Sequence, residues 1–175
     1  MLYSLAENGR MAVILPHGVL FRGASEARIR KQIIDLNLLD AVIGLPEGLF
    51  FGTNIPACVM VFKKNRSRRD VLFIDASGEN HYEKGKNQNQ LRESDIRKIV
   101  ETYDAFKVED RYSYVASVDE IKENEYNLNI PRYVDTFEEE ERVDMNTVKN
   151  SISSIKNELA QIEEQMSKYL QKLGL

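Results

Sequence analysis

Residues 12–21 read Ala-Val-Ile-Leu-Pro-His-Gly-Val-Leu-Phe, and residues 41–50 repeat the pattern as Ala-Val-Ile-Gly-Leu-Pro-Glu-Gly-Leu-Phe. Each copy is an aliphatic run, typical of a strand buried on both faces, that ends in Leu-Pro-x-Gly. Proline removes a backbone donor and glycine permits a positive φ, so each strand is predicted to turn there. One helical segment separates the copies, which predicts a right-handed βαβ crossover. Ligands of open parallel sheets bind beyond the carboxyl ends of the strands, so we expect a site at these two loops.

The composition limits the class of protein. Hydrophobic residues make up 42% of the chain, and no apolar run approaches the length that spans a bilayer. The amino terminus lacks the pattern of a signal peptide, so we expect a cytoplasmic protein without membrane contact. The net charge of −4 argues against a generally basic nucleic-acid coat, although local patches can bind phosphate. One cysteine and two distant histidines argue against a disulfide, a zinc site and a Ser-His-Asp triad.

Hydrophobic periodicity predicts the other elements. Strands are expected at residues 11–15, 40–45, 55–62 and 71–75. The second and third of these should be antiparallel, because their connection is too short for a crossover helix. Helices are expected over 26–36, capped by Ser25, from Ser94 and Asp95 onward, and over a short segment after the capping box at 117–120. The predicted buried faces are Ile29, Ile33 and Leu36 in the first helix, and Ile96, Ile99, Val100 and Tyr103 in the second. Residues 126–134 are expected to be extended.

The chain is predicted to have three parts. Residues 1–76 form part of a sheet, residues 77–142 form a small mixed connector with a polar loop at 83–90, and residues 143–175 form a long helix. Apolar residues in the last part alternate in steps of three and four: Met145, Val148, Ile152, Ile155, Leu159, Ile162, Met166, Tyr169 and Leu173. This heptad register is typical of a coiled coil, and so narrow an apolar stripe needs a partner helix. We therefore expect these residues to form a subunit interface.

Candidate binding residues surround the second loop. Phe50 and Phe51 lie between glycines and could stack on bases, although they could equally fold back as a lid on the sheet. The two loops could also be simple tight turns, and His17 is better explained as a hydrogen-bonded turn residue than as a catalyst, because no nucleophile accompanies it. Five cations fall within seven residues: Lys63, Lys64, Arg66, Arg68 and Arg69. They suit DNA phosphates, although such a run is usually a solvated hairpin tip. Neither a glycine-rich phosphate loop nor paired carboxylates occur, so the residues alone reveal no catalyst.

Several stretches together closely resemble one family. They are residues 9–23, 39–50 and 54–64, Val-Leu-Phe-Ile-Asp-Ala-Ser at 71–77, and Asn-Leu-Asn-Ile-Pro-Arg-Tyr-Val-Asp at 127–135. The family is the modification subunit of type I restriction-modification systems, an N6-adenine DNA methyltransferase. The resemblance spans nearly the whole chain but covers only the carboxyl-terminal part of such a subunit. It implies an α/β fold, with part of a Rossmann-like, S-adenosylmethionine-dependent methyltransferase sheet, a mixed connector and a long coiled-coil-type helix.

The resemblance also implies methyl transfer from S-adenosylmethionine to adenine N6 in a specific double-stranded DNA sequence. The family's glycine-rich cofactor loop and Asn-Pro-Pro-aromatic motif precede this region and are absent here, where no Pro-Pro pair occurs. The chain alone is therefore expected to be inactive and to bind no cofactor. The pocket for the extruded adenine would be lined by candidates from both loops: Phe50, Phe51, Gly52, Asn54, Pro16 and His17.

The implied partners are a specificity subunit, contacted through the heptad helix, and a restriction subunit. Without the specificity subunit, a second copy of the chain would be expected to occupy the helix. The alternative function is a non-catalytic interaction module that binds a specificity subunit through the same helix.

Overall fold

The protein is described by a computed structural model. The described residues are 2–135 and, in the carboxyl-terminal segment, 149, 152–156, 158, 159, 161–163, 166 and 170. The chain divides into two compact units, Met1–Phe137 and Glu138–Leu175. Among the described helices, none is long and apolar enough to cross a membrane.

A five-stranded mixed sheet organises the first unit. Its strands are β1 (Arg10–Pro16), β2 (Leu39–Gly44), β3 (Ala57–Lys63), β4 (Val71–Asp75) and β5 (Ser113–Ala116). Their order across the sheet is β1-β3-β2-β4-β5, in which β2 and β4 pair in parallel and the other neighbours are antiparallel. The predicted antiparallel pairing of β2 with β3 is confirmed. β5 lies in the predicted connector, residues 77–142, but pairs with β4. The connector therefore shares one sheet with residues 1–76.

The repeated pattern forms parallel strands that are not neighbours. β1 and β2 each run antiparallel to β3, which lies between them, and α1 (Ala24–Asp35) connects them. The position of β3 between β1 and β2 could not be predicted from the sequence, because a local pattern contains no information about the order of strands in a sheet. Burial on both faces is confirmed for β2, whose six residues are all buried. It is wrong for β1, where exposed and half-buried residues alternate because one face of this outer strand is uncovered.

Helices cover both faces of the sheet and create two hydrophobic cores. On one face, α1 and α3 (Val118–Glu123) pack against a core that contains Val42 and Phe73. On the other face, α2 (Glu93–Ala105) packs against a core that contains Ala41 and Leu72. Successive strand residues point to opposite faces, and a strand buried on both sides therefore contributes to both cores.

The predicted face of α1 is partly wrong. Ile33 packs against the first core as expected, and Ile34 and Arg30 are buried, but Ile29 is 56% exposed and Leu36 is 60% exposed. The reason is that Arg30 points inward, where it donates to the carbonyl oxygens of Val19, Arg22 and Tyr126 at 2.8, 2.7 and 3.0 Å. A buried cation that satisfies three carbonyls turns the helix away from the orientation that its aliphatic residues suggest.

The predicted face of α2 is also partly wrong. Ile99 and Tyr103 pack against the second core as expected, but Ile96 and Val100 are each 49% exposed. The helix begins one residue earlier than expected, and the Asp95 carboxylate accepts hydrogen bonds from the Arg92 amide and guanidinium at 2.9 and 2.8 Å. For α3, the predicted capping is confirmed, because the Ser117 hydroxyl accepts a hydrogen bond from the Glu120 amide.

Residues 126–134 are less extended than predicted. A 3-10 helix forms over Ile130–Arg132, and the Tyr133 ring stacks on Phe73 with 4.0 Å between centroids. The Tyr133 hydroxyl donates to the Asn127 carbonyl oxygen at 2.6 Å, which closes the segment on itself. These contacts hold residues 128–134 against β4.

The described residues of the second unit are helical and exposed. They include Ile152, Ile155, Leu159, Ile162 and Met166, whose side chains are 48–64% exposed. Met145, Val148, Tyr169 and Leu173 lie outside the described residues. The pairing of this helix in a coiled coil stays a prediction.

Candidate functional site

β1, β2 and β4 end at the same edge of the sheet, which we call the carboxyl edge. In the register with β3, Pro16 faces Ala57 and Gly44 faces Cys58, while Gly44 also faces Asp75 across the parallel β2–β4 pair. The loops that follow the three strands therefore converge. This is the position at which open sheets bind ligands.

Both Leu-Pro-x-Gly loops contribute to one polar cavity of about 370 Å³ at the carboxyl edge. His17 comes from the first loop and Glu47 from the second. The other lining residues are Pro56, Asp75, Ser77, Tyr82, Asn129, Ile130 and Pro131. A Cβ atom at Gly44 would lie 3.7 Å from His17 Nε2 and 3.6 Å from Asp75 Oδ1, so both polar atoms lie over the end of β2.

The His17 imidazole and the Asp75 carboxylate in this cavity are suited to hydrogen bonding. Burial lowers the pKa of His17 below its usual value, although the Asp75 charge and a hydrogen bond to the Ala57 backbone oppose the change. Nε2 of this largely neutral imidazole is buried and lacks a hydrogen-bond partner among the described residues. The Asp75 carboxylate accepts hydrogen bonds from the amide and hydroxyl of Ser77 at 2.9 and 2.5 Å. The cavity therefore suits a hydrogen-bonding ligand or ordered water molecules.

The predicted pocket residues lie in four different surroundings. Phe50 and Pro16 line an apolar groove of about 380 Å³ beside β1, together with Ile14, Leu15, Thr53, Ile55 and Ala57. Phe51 is 83% exposed and lines a separate cavity with the 83–90 loop. Gly52, with a φ of 74°, and Asn54 are exposed in the same loop as the two phenylalanines. His17 belongs to the polar cavity, so the six candidates do not form a single pocket.

The predicted basic run lies at the opposite edge of the sheet. Lys63 is the last residue of β3 and faces Arg10, the first residue of β1. At a rise of about 3.3 Å per residue, β3 separates Lys63 from the carboxyl edge by roughly 20 Å. The run therefore cannot contact the same nucleotide as the loops at the carboxyl edge.

Arg66 is not available to bind DNA, and this part of the prediction is wrong. Its side chain and that of Asp40 are each only 2% exposed and form an ion pair of 2.7 Å. Arg66 also donates to the Asn37 side chain at 3.2 Å and to the carbonyl oxygens of Leu39 and Asp70. A cation held by this many partners serves the fold.

Two further members of the run have internal contacts. The Arg68 guanidinium lies 3.6 Å from the centroid of the Phe106 ring, and Lys64 donates to the Leu5 carbonyl oxygen. Lys63 and Arg69 have no ion pair within the described part of the chain. A DNA contact at this edge therefore stays a prediction for Lys63 and Arg69, the two cations of the run that have no such internal partner.

Of the residues that line the polar cavity, only His17 was a predicted site residue. The polar ones that sequence reasoning missed are Asp75, Ser77, Tyr82, Asn129 and Glu47. Asp75 and Ser77 could have been found, because Asp75 is the last residue of the apolar strand β4 and Ser77 lies two residues after it. Tyr82 and Asn129 come from distant segments, and no local signal places them beside the others.

The chain is similar in sequence to known DNA methylase subunits. A family model described as N-6 DNA methylase matches residues 1–142. The chain is 34% identical over 169 residues to the type I restriction enzyme MjaVIII methylase subunit of Methanocaldococcus jannaschii, covering 94% of this chain and 29% of the relative. It is 37% identical over 155 residues to the MpnII methylase subunit of Mycoplasma pneumoniae, covering 88% of this chain and 28% of that relative.

A solved structure extends the similarity to the fold. The methyltransferase subunit of a type I restriction-modification system from Streptococcus thermophilus shares 52% identity at a TM-score of 0.75. The match covers 78% of this chain and 29% of that subunit. The chain thus spans less than a third of the length of the relatives that it matches.

Proposed function

Because this chain belongs to the N-6 DNA methylase family, we propose that it serves in methyl transfer to adenine N6 of DNA as the carboxyl-terminal part of a type I methyltransferase subunit. The complete enzyme would act in the cytoplasm with a specificity subunit and a restriction subunit. The observation that supports this most strongly is that the three loops after β1, β2 and β4 meet at one edge, where two cavities and an apolar groove lie.

The apolar groove beside β1 is the better candidate for the extruded adenine. Phe50 supplies an aromatic face and Pro16 a flat apolar one, and the groove volume of about 380 Å³ falls in the usual range for small-ligand pockets, about 300–1,000 Å³. Enzymes that modify a base must remove it from the stack and hold it by stacking and by hydrogen bonds. In the proposed complex, Phe50 contributes the stacking.

The methyl donor in such a subunit is S-adenosylmethionine, and the described residues do not fit it. Cofactors with adenosine groups are usually bound where a strand passes through a glycine-rich turn into a helix. In the described sheet, β1 leads into a 3-10 helix at His17–Leu20, β2 into the 46–54 loop, and β4 into a loop before the 3-10 helix at Glu79–His81. We therefore propose that another part of the subunit binds the cofactor and supplies the groups that accept the adenine protons.

A chimaera tests the proposed function. This chain replaces the matching segment of the Streptococcus thermophilus subunit, and the chimaera is combined with the specificity subunit of that system. Transfer of tritiated methyl groups from S-adenosylmethionine to cognate DNA is then measured. We expect methylation of adenine N6 above the level of a chimaera without the segment. Absence of methylation, although the complex assembles and binds DNA, would contradict the proposal.

The exposed stripe of the terminal helix favours a second candidate function, a non-catalytic interaction module. Leu159, with 54% of its side chain exposed, is typical of this stripe. If the chimaera binds the specificity subunit but does not methylate, the chain is a module of this kind. Both functions use the same helix, so only the methylation assay separates them.

A further inference from the structure

The loop at 46–54 presents its two adjacent phenylalanines to different surroundings. Phe50 lines the apolar groove beside β1, whereas Phe51 lines a half-polar cavity of about 360 Å³ against the 83–90 loop. A phenylalanine that is 83% exposed gains little from burial, so its position is not explained by the hydrophobic core.

The 83–90 loop is fastened to the loop that carries Phe51. Glu83 and Gln90 close it with two backbone hydrogen bonds of 2.8 and 3.0 Å. The Asn89 amide donates to the Gly48 carbonyl oxygen at 2.9 Å, and its side chain donates to the Glu47 carbonyl oxygen at 2.8 Å. The Gln88 side chain donates to the Leu49 carbonyl oxygen. The exposed aromatic ring and the tip of the 83–90 loop are therefore held next to each other.

The cavity between them combines three kinds of group. Phe51 offers an aromatic face, Lys84 and Lys86 offer positive charge, and Asn87 offers a side-chain amide. Lys84 forms a 2.7 Å ion pair with Glu79, but both side chains are more than two-thirds exposed, so the pair is weak and exchangeable. Lys86 is exposed and has no ion-pair partner in the described part of the chain.

We propose that Phe51 and the 83–90 loop form a binding site for a second nucleotide, whose base stacks on Phe51 and whose phosphate contacts Lys86. Single-stranded nucleic acid is bound by this combination of an aromatic platform and a nearby cation. Glu83 and Asn87 line the same cavity and provide an acceptor and a donor for the edge of a base. The ligand is a nucleotide next to the extruded adenine in the DNA strand. The identification of this ligand as DNA rests on the proposed function.

The test measures binding of a fluorescein-labelled oligodeoxythymidylate of about eight nucleotides to the 175-residue chain by fluorescence anisotropy. Phe51→Ala should weaken binding on the order of 10-fold, because stacking of a base is lost. Tyr3→Ala, which removes an even more exposed aromatic ring, is the matched control and should have no effect. Circular dichroism verifies that each variant is folded.

The salt dependence tests the phosphate contact. Lys86→Gln should reduce the slope of log K against log salt concentration by about 0.7, the value for one contact with a single strand. Lys86→Arg should keep the slope. Lys122→Gln, on α3 and in a surface ion pair with Asp119, is the charge-matched control.

Three results would overturn the inference. They are the absence of binding by the parent chain, an equal effect of Phe51→Ala and Tyr3→Ala, and a slope that responds to Lys63→Gln but not to Lys86→Gln. The proposed function fails separately. A chimaera that methylates while Phe51→Ala leaves strand binding unchanged refutes only the second nucleotide site, and an inactive chimaera whose strand binding needs Phe51 refutes only methylation.

Discussion

Replacing Arg66 by alanine should destabilise the sheet unit strongly, because it leaves the Asp40 carboxylate buried without its cation. Both side chains are 2% exposed, and their ion pair measures 2.7 Å. The Tyr103 hydroxyl donates to the same carboxylate at 2.6 Å, and burial, aided by this hydrogen bond, raises the pKa of Tyr103 to about 12. Tyr103 therefore remains a neutral donor and cannot replace the lost charge.

The magnitude follows from the burial of both partners. Removal of one member of a buried ion pair costs about 3–5 kcal/mol, a large share of the roughly 5–15 kcal/mol that stabilises a domain. Urea denaturation followed by circular dichroism measures the change in the free energy of unfolding. Arg69→Ala, in the same basic run but exposed, is the control and should change stability by less than about 0.5 kcal/mol.

A double variant distinguishes the contribution of the ion pair to stability from that of side-chain packing. Arg66→Met combined with Asp40→Leu removes both charges, so it should cost less than Arg66→Ala alone. If Arg66→Ala is no more destabilising than Arg69→Ala, and instead lowers DNA affinity in a salt-dependent way, Arg66 faces solvent and the structural assignment is wrong.

Three further predictions concern other parts of the molecule. Replacing Ile155 and Ile162 together by aspartate should abolish binding of the specificity subunit, and self-association in its absence, while the sheet stays folded; an unchanged assembly state in sedimentation would show that the helix does not use this face. Burial lowers the pKa of His17 in the folded protein below its ordinary value of 6.5. The stability that depends on a neutral imidazole is therefore present above pH 6.5 and is lost as the pH falls toward the folded-state pKa. Unfolding of His17→Asn should accordingly depend less on pH in this range, and an identical pH profile would contradict the burial of this ring. The chain alone should not bind S-adenosylmethionine, and calorimetric detection of micromolar binding would show that the cofactor site has been misplaced.

The strands could be predicted from the sequence more reliably than their arrangement. β2 is buried on both faces and reads as a continuous apolar run, so its burial followed from local pattern. The position of β3 between β1 and β2 did not, because strand order depends on contacts between residues far apart in sequence. The same limitation hid Arg30 and Arg66, whose inward orientation is set by carbonyl and carboxylate groups on other segments.

The candidate site could be predicted only in its location. The Leu-Pro-x-Gly pattern predicts that both loops end strands at one edge, and the structure brings His17 and Glu47 into the same cavity. The separation of Phe50 from Phe51 could not be read from the sequence, because it depends on the turn at Gly48 and Gly52, where both residues have positive φ, and on the distant 83–90 loop.

The proposed role of Phe50, which would hold the target base at the carboxyl edge, is tested most directly by methyl transfer in the Phe50→Ala chimaera. Ile96→Ala, on α2 and similarly half-exposed, is the control. Stacking on the extruded base contributes about 1–3 kcal/mol, so Phe50→Ala should slow methylation on the order of 10-fold while DNA affinity changes little. Methylation at the rate of the parent chimaera would contradict the claim.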